Sequence, residues 1–133
     1  MNGAGEPLWL DGRILAFLVE ACRRDHRVPL VDPEEDVAER ILVTPVRAWE
    51  AGERHLGRLG ATLFGAIERT PELGGGRLLL ATVSALVFWE LNGVVPSHRP
   101  GVLFSVVRRA VGQPAQHARI AQLAGLRTHA APG

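Results

Sequence analysis

Lysine is missing from this chain: all fifteen of its basic residues are arginine. Without a side-chain amine, Schiff-base chemistry, a lysine general base and a P-loop lysine are excluded. Cysteine is almost missing too. The single Cys22 can form no disulfide within the chain and no thiolate metal cage, which makes a reducing cytoplasm the expected location and secretion an unexpected one. Charge of either sign is nearly balanced, 15 basic against 14 acidic residues, so no broad attractive field exists for nucleic acid or anionic lipid, and neither is an expected partner. The longest apolar run, residues 78–89, lies between Arg77 and Glu90 and is too short to cross a bilayer. Residues 1–7 lack the basic and apolar regions of a signal peptide and are expected to form a short flexible leader. No internal repeat is present, and residues 128–133 are expected to fray.

What is there is a chain of 133 residues, 47% hydrophobic, which predicts one domain over residues 1–133. A domain of this size hides roughly two-thirds of its unfolded surface and needs no disulfide or structural metal. Helical spacing dominates. Leu10, Ile14, Phe17, Leu18, Ala21 and Cys22 recur along one face of a first helix. Asp32, Pro33 and Glu35 then read as an N-cap, a proline at the first helical position and a capping-box acid. The second helix they open carries Val37, Ala38, Ile41 and Leu42 and is expected to stop at Pro45. Residues 46–69 continue helically, weakened by Gly52, Gly57, Gly60 and Gly65, with a break predicted near Gly52 and a buried stripe of Leu56, Leu59, Leu63 and Ile67. Residues 70–76 form a turn. A central helix over 77–92, apolar nearly all round, closes at Gly93. Pro100 and Pro114 start two more helices, the first with Leu103, Val106, Val107 and Ala110 inward, the second with Ile120, Leu123 and Ala124. Alternating strand patterns are absent. The expectation is an all-α fold, a compact bundle of about six helices around a central buried helix.

Residues 63–93, LFGAIERTPELGGGRLLLATVSALVFWELNG, resemble the core of the Fic/Doc family, whose signature H-P-F-x-D/E-G-N-K/G-R enters a long buried helix. Residues 32–45, DPEEDVAERILVTP, are similar to the family's second helix. The helices after Gly93 match small Doc-type members in length and order. The resemblance covers nearly the whole chain and implies a Doc-like helical domain. In that family a histidine is the general base, an acid holds magnesium, and the Gly-Asn-Lys/Gly-Arg loop cradles nucleotide phosphates. The implied activity is nucleotidyl or phosphoryl transfer to a protein, as in toxins of toxin–antitoxin pairs.

The reactive positions of the signature are replaced here. The histidine position falls on Thr70 or, with a one-residue gap, on Pro71. The phenylalanine falls on Glu72 or Leu73, the acid on Gly74 or Gly75, the asparagine on Gly76 or Arg77, and the arginine on Leu78 or Leu79. General-base catalysis contributes about 10²- to 10⁴-fold and needs a group titrating near neutrality, which a threonine is not. Loss of the carboxylate removes the direct magnesium ligand. The usual transfer chemistry is therefore not expected, and no cofactor is called for.

Gly74, Gly75, Gly76 and Arg77 remain at the entrance of the central helix, where backbone N–H groups, the helix dipole and a guanidinium can converge on an anion. The competing reading is a connection whose glycines allow a sharp approach to the helix while Arg77 stays in solvent. Glu72, His55 and Thr70 are the catalytic candidates, although Glu72 also fits a solvated turn and His55 a structural role. Trp49 is a candidate for lining a pocket. Ser84 is expected to bond a backbone carbonyl within its helix. His26, His98, His117 and His129 show no metal-ligand spacing, so no metal site is assigned. Arg108 and Arg109 read most simply as a solvated face.

Two functional classes follow. One is a Doc-like pseudoenzyme that binds a nucleotide-like anion or a protein partner of the antitoxin or target type. The other is a repurposed enzyme acting on a small, largely apolar biosynthetic metabolite in the former Fic pocket.

Overall fold

The computed structural model describes residues 5–94, which form four α-helices and one 3₁₀ turn. The helices are α1 (Gly12–His26), α2 (Glu35–Glu50), α3 (Leu56–Glu68) and α4 (Arg77–Leu91), with the turn at Pro71–Leu73. Among the described residues there is no strand, and this part of the chain is all-α. The helices expected from Pro100 and Pro114, and the tail at 128–133, lie outside the described residues. Of the expected leader, Pro7 is buried, and the Glu6 carboxylate accepts a hydrogen bond from Trp9 Nε1 at 3.0 Å.

The first helix begins where Asp11 leaves the helical region and its carboxylate accepts the Ile14 N–H at 2.9 Å. It ends at Arg27, the one described non-glycine residue with positive φ, after Arg23, Arg24 and His26 have placed basic groups against the carbonyl end of the dipole. Its buried stripe is Leu15, Leu18, Val19 and Cys22. Phe17, expected inward, is 65% exposed. The stripe is centred one residue further along than the expected one, so Val19 takes the inward direction and Phe17 is turned to solvent.

The expected start of α2 is also displaced. Glu34, not Asp32, is the extended residue before the helix, and it makes no side-chain cap. Asp32 lies outside the helix because its carboxylate accepts from Arg23 Nη2 at 3.2 Å. Pro45 does not stop α2; the helix runs through it to Glu50. The missing N–H and the clash of an interior proline cost about 3 kcal/mol. Pro45 and Ile41 are the two buried residues of α2, one turn apart, and that burial offsets the local cost. The break falls where expected, with Gly52 at φ +114°.

Helices α3 and α4 pack closely at Gly60. Gly60 faces the Trp89 indole so closely that a Cβ there would overlap the ring, while Trp89 Nε1 donates to Leu56 O at 3.0 Å. Trp89, Phe88, Leu80, Leu59, Leu63 and Ile67 are fully or almost fully buried here, and α1 adds Leu15 and Val19 to the same core. Gly93 supplies the expected positive φ (+73°) beyond the end of α4. Asn92 ties that end to the start of the chain: its Oδ1 accepts from Leu8 N at 2.8 Å and its Nδ2 donates to Leu8 O at 3.0 Å.

Candidate functional site

Between α3 and α4 the chain folds back on the link that joins α1 to α2. Val31 N donates to Leu73 O at 2.9 Å and Gly76 N to Pro29 O at 2.8 Å, which fastens the two connections side by side. That approach explains two of the three glycines. Gly74 has φ +98°, and a Cβ on it would lie 2.9 Å from Pro29 O; a Cβ on Gly76 would lie 2.7 Å from Val28 Cγ2. Gly75 is exposed.

Of the groups expected to face an anion at this loop, the Gly74 and Gly76 N–H groups and Arg77 are engaged within the chain. Gly74 N donates to Pro71 O, and Gly76 N to Pro29 O as above. Arg77 neither projects into solvent nor points at an open cradle. It is half-buried, with Nε donating to Glu68 O at 2.8 Å and Nη1 to Gly74 O at 3.1 Å, so it closes the carbonyl end of α3.

The three catalytic candidates are held separately. Thr70 is buried, and its Oγ1 donates to Ala66 O at 2.7 Å. Glu72 is exposed and paired with Arg40 Nη2 at 3.1 Å. His55 is the N-cap of α3: its Nδ1 accepts the Arg58 N–H at 3.3 Å, and its own N–H donates to Glu53 Oε2 at 3.0 Å. The same Glu53 accepts from Arg58 Nε at 2.9 Å, and this bond holds its carboxyl below the usual range. His55 thus belongs to a helix-opening cluster.

Ser84 corrects an expectation. Its Oγ is fully buried and meets no hydrogen-bond partner among the described residues, rather than bonding a carbonyl of its helix. Cys22 is buried, which raises its thiol above the ordinary range, and Asp25 adds to the shift. Trp49 stands in an aromatic group: Trp9 lies edge-on to it at 6.4 Å and stacks on Phe88 at 5.9 Å, while the Arg54 guanidinium sits 3.9 Å above the Trp49 ring.

A cavity lies elsewhere, along the seam between α1 and α2. It is an open groove of about 820 Å³. Ala38, Leu42, Val43 and Val46 of α2 form one wall; Leu10, Gly12 and Ala16 form the other. Four carboxylates stand around it, those of Asp11, Asp32, Glu35 and Glu39, Asp32 being also bound to Arg23, and among the described residues no basic one lines it. The two helices run antiparallel, since Trp9 before α1 meets Trp49 at the end of α2, and Arg23 late in α1 meets Asp32 before α2. Asp32, Glu35 and Glu39 therefore gather at one end, and Val46 lies toward the other.

Sequence reasoning missed this groove. The available signal was the width of the apolar face of α2. Ile41 and Pro45 suffice to bury the helix, yet Ala38, Leu42, Val43 and Val46 extend the face beyond that line. Glu35 and Glu39, one turn apart on its edge, repel each other by a few tenths of a kcal/mol, roughly, which an approaching cation would relieve.

Among the described residues no cluster of three or more His, Cys, Asp or Glu side chains could hold a metal ion, and no helix is long and apolar enough to cross a membrane. No protein-family model, no curated protein and no solved structure matches the chain.

Proposed function

We propose that this protein works by holding a protein partner in the α1–α2 groove rather than by group transfer. The observation that carries the reading is the composition of that groove among the described residues: apolar walls and four carboxylates, of which Asp32 already pairs with Arg23. Such a surface suits a helix with one apolar face and flanking arginine or lysine residues. It disfavours a nucleotide-like anion, which would meet like charge there. At the glycine loop, the Gly74 and Gly76 N–H groups and Arg77 already have partners inside the chain. The separate engagement of Thr70, Glu72 and His55 likewise supports binding over the alternative of a small-metabolite enzyme.

The proposal includes a Doc-like ancestry, resting on the likeness of residues 63–93, and a partner of the antitoxin or target type. It also includes the wider architecture expected from the sequence, in which helices from Pro100 and Pro114 bring the total to about six with α4 central. Leu79, Val83 and Leu86 of α4 are half-buried and offer a face for one of them. A cytoplasmic location is part of the same proposal and rests on the lone, buried Cys22.

The test is a thermal-shift titration of the full chain with three probes: a cationic amphipathic helical peptide, the same peptide with its basic residues changed to glutamine, and pyrophosphate. The cationic peptide is expected to raise Tm, and Glu35→Gln/Glu39→Gln to reduce the rise. A rise with pyrophosphate that Arg77→Ala removes, and none with the peptide, would overturn the reading.

A further inference from the structure

Residues 7–11 have no regular structure, yet they lie across the ends of two helices. Pro7 and Leu10 are buried, Trp9 is half-buried and Leu8 is 59% exposed. Trp9 stacks on Phe88 near the end of α4 and meets Trp49 near the end of α2 edge-on. Leu10 and Asp11 then form part of the wall of the α1–α2 groove. One short segment thus covers Phe88 and completes the groove.

What fastens its backbone is a single side chain. Among the described residues, the only hydrogen bonds to the main chain of residues 7–10 are those of Leu8, whose N–H donates to Asn92 Oδ1 and whose carbonyl accepts from Asn92 Nδ2. A further bond, from Asn92 Nδ2 to Phe88 O at 2.8 Å, fixes that amide on the last turn of α4. The orientation of the clasp is therefore set by the helix and not by the segment it holds. A Cβ added to Gly5 or to Gly12, just beyond the two ends of the segment, would meet nothing within 4 Å, so the chain is uncrowded where it would turn. The neighbouring α1 is held differently, by its helical hydrogen bonds and by the burial of Leu15, Leu18, Val19 and Cys22. A segment with few backbone bonds and partial exposure opens at lower cost than such a core element.

We infer that residues 7–11 are a hinged strap with Asn92 as its latch. In the latched state described above, Trp9 covers Phe88 and Leu10 completes the groove wall. On release Trp9 and Leu10 leave together, Phe88 is uncovered and the groove loses one end of its wall. The groove is complete only with the strap closed, so a partner seated in it holds the strap shut. The motion stands by itself; its regulatory role rests on the groove-binding reading.

The experiment uses the full chain carrying Leu10→Cys and follows native-state thiol labelling by an aromatic disulfide reagent, each rate taken relative to that of the same thiol in urea-unfolded protein. Native Cys22, buried in α1, is the internal reference for opening of the core. The introduced thiol is expected to label at least about tenfold faster than Cys22. Adding Asn92→Ala is expected to raise its rate by about tenfold more and to leave Cys22 unchanged. Equal labelling of the two thiols, or equal acceleration of both by Asn92→Ala, would overturn the strap. Should Leu10→Cys prevent folding, hydrogen exchange of the unsubstituted protein reads the same opening: Leu8 N–H is expected to be at least about tenfold less protected than Val19 N–H, and equal protection overturns the inference. The cationic peptide separates the two proposals. At ten times its Kd it is expected to slow exchange at Leu8, which lies outside the groove lining, by about tenfold. Binding without slowing overturns the regulatory role and leaves groove binding intact; rapid, Asn92-dependent opening with no peptide binding leaves the strap and overturns the groove reading.

Discussion

The two helix pairs of this protein are built on opposite terms. Between α3 and α4, the absence of a side chain at Gly60 receives the largest aromatic of the core, and the Trp89 indole N–H is matched by Leu56 O. Between α1 and α2, Gly12, Ala16 and Ala38 are also small, but among the described residues no large side chain fills the gap they leave, and a groove results. Small residues alone do not bring helices into dense contact. They do so where a partner of complementary volume stands opposite; elsewhere they leave room for something else.

If this contrast is correct, the largest effect belongs to the close pair. Trp89→Ala should destabilise the fold by about 3–5 kcal/mol, measured by urea denaturation, because it removes a fully buried ring and orphans Leu56 O. A loss under 1 kcal/mol would mean the α3–α4 seam is not the centre of stability. Gly60→Ala comes next, at about 1–3 kcal/mol, since overlap with the indole outweighs the roughly 1 kcal/mol gain in helix propensity. Ser84→Ala should stabilise by about 1 kcal/mol, because the buried hydroxyl has no partner to lose among the described residues. A loss of stability there would reveal a hydrogen bond. Ala38→Leu, a larger volume gain than Gly60→Ala, should change stability by less than about 0.5 kcal/mol because it grows into open space, and it should weaken peptide binding at the groove. A destabilisation equal to that of Gly60→Ala would erase the distinction between the pairs.

Much of the fold was legible from local chemistry. The helical period placed α1, α3 and α4, and Gly52 and Gly93 marked a break and an end because the chain adopts positive φ at each. The proline at position 45 misled because its local cost is real but smaller than the gain from burying it beside Ile41. Asp32 misled for a related reason. A carboxylate directly before Pro33 is a good cap in isolation, but α2 starts three residues later, at Glu35, and Arg23, from the preceding helix, pairs with Asp32.

The candidate site was less legible. His55, Thr70 and Glu72 were picked as chemically capable residues, and the fold engages each as a cap, a backbone bond or a surface ion pair. Arg77 was picked for its place at a helix entrance, and the carbonyl end of α3 arrives beside it. The groove acids went unnoticed because Asp11, Asp32 and Glu39 belong to different stretches of chain and acquire a shared meaning only when α1 and α2 lie antiparallel.

By itself, then, the sequence determined the helical class, the apolar faces and the chemistries that lysine-free, cysteine-poor composition rules out, because these depend on neighbours three or four residues apart or on simple presence. Only the tertiary structure decided that Gly60 serves Trp89, that Gly74 makes room for the Pro29 carbonyl and Gly76 for the Val28 side chain, and that four carboxylates share a groove. Those facts depend on which surfaces meet. That is fixed by the balance of packing over the whole core, which no local window of the chain contains.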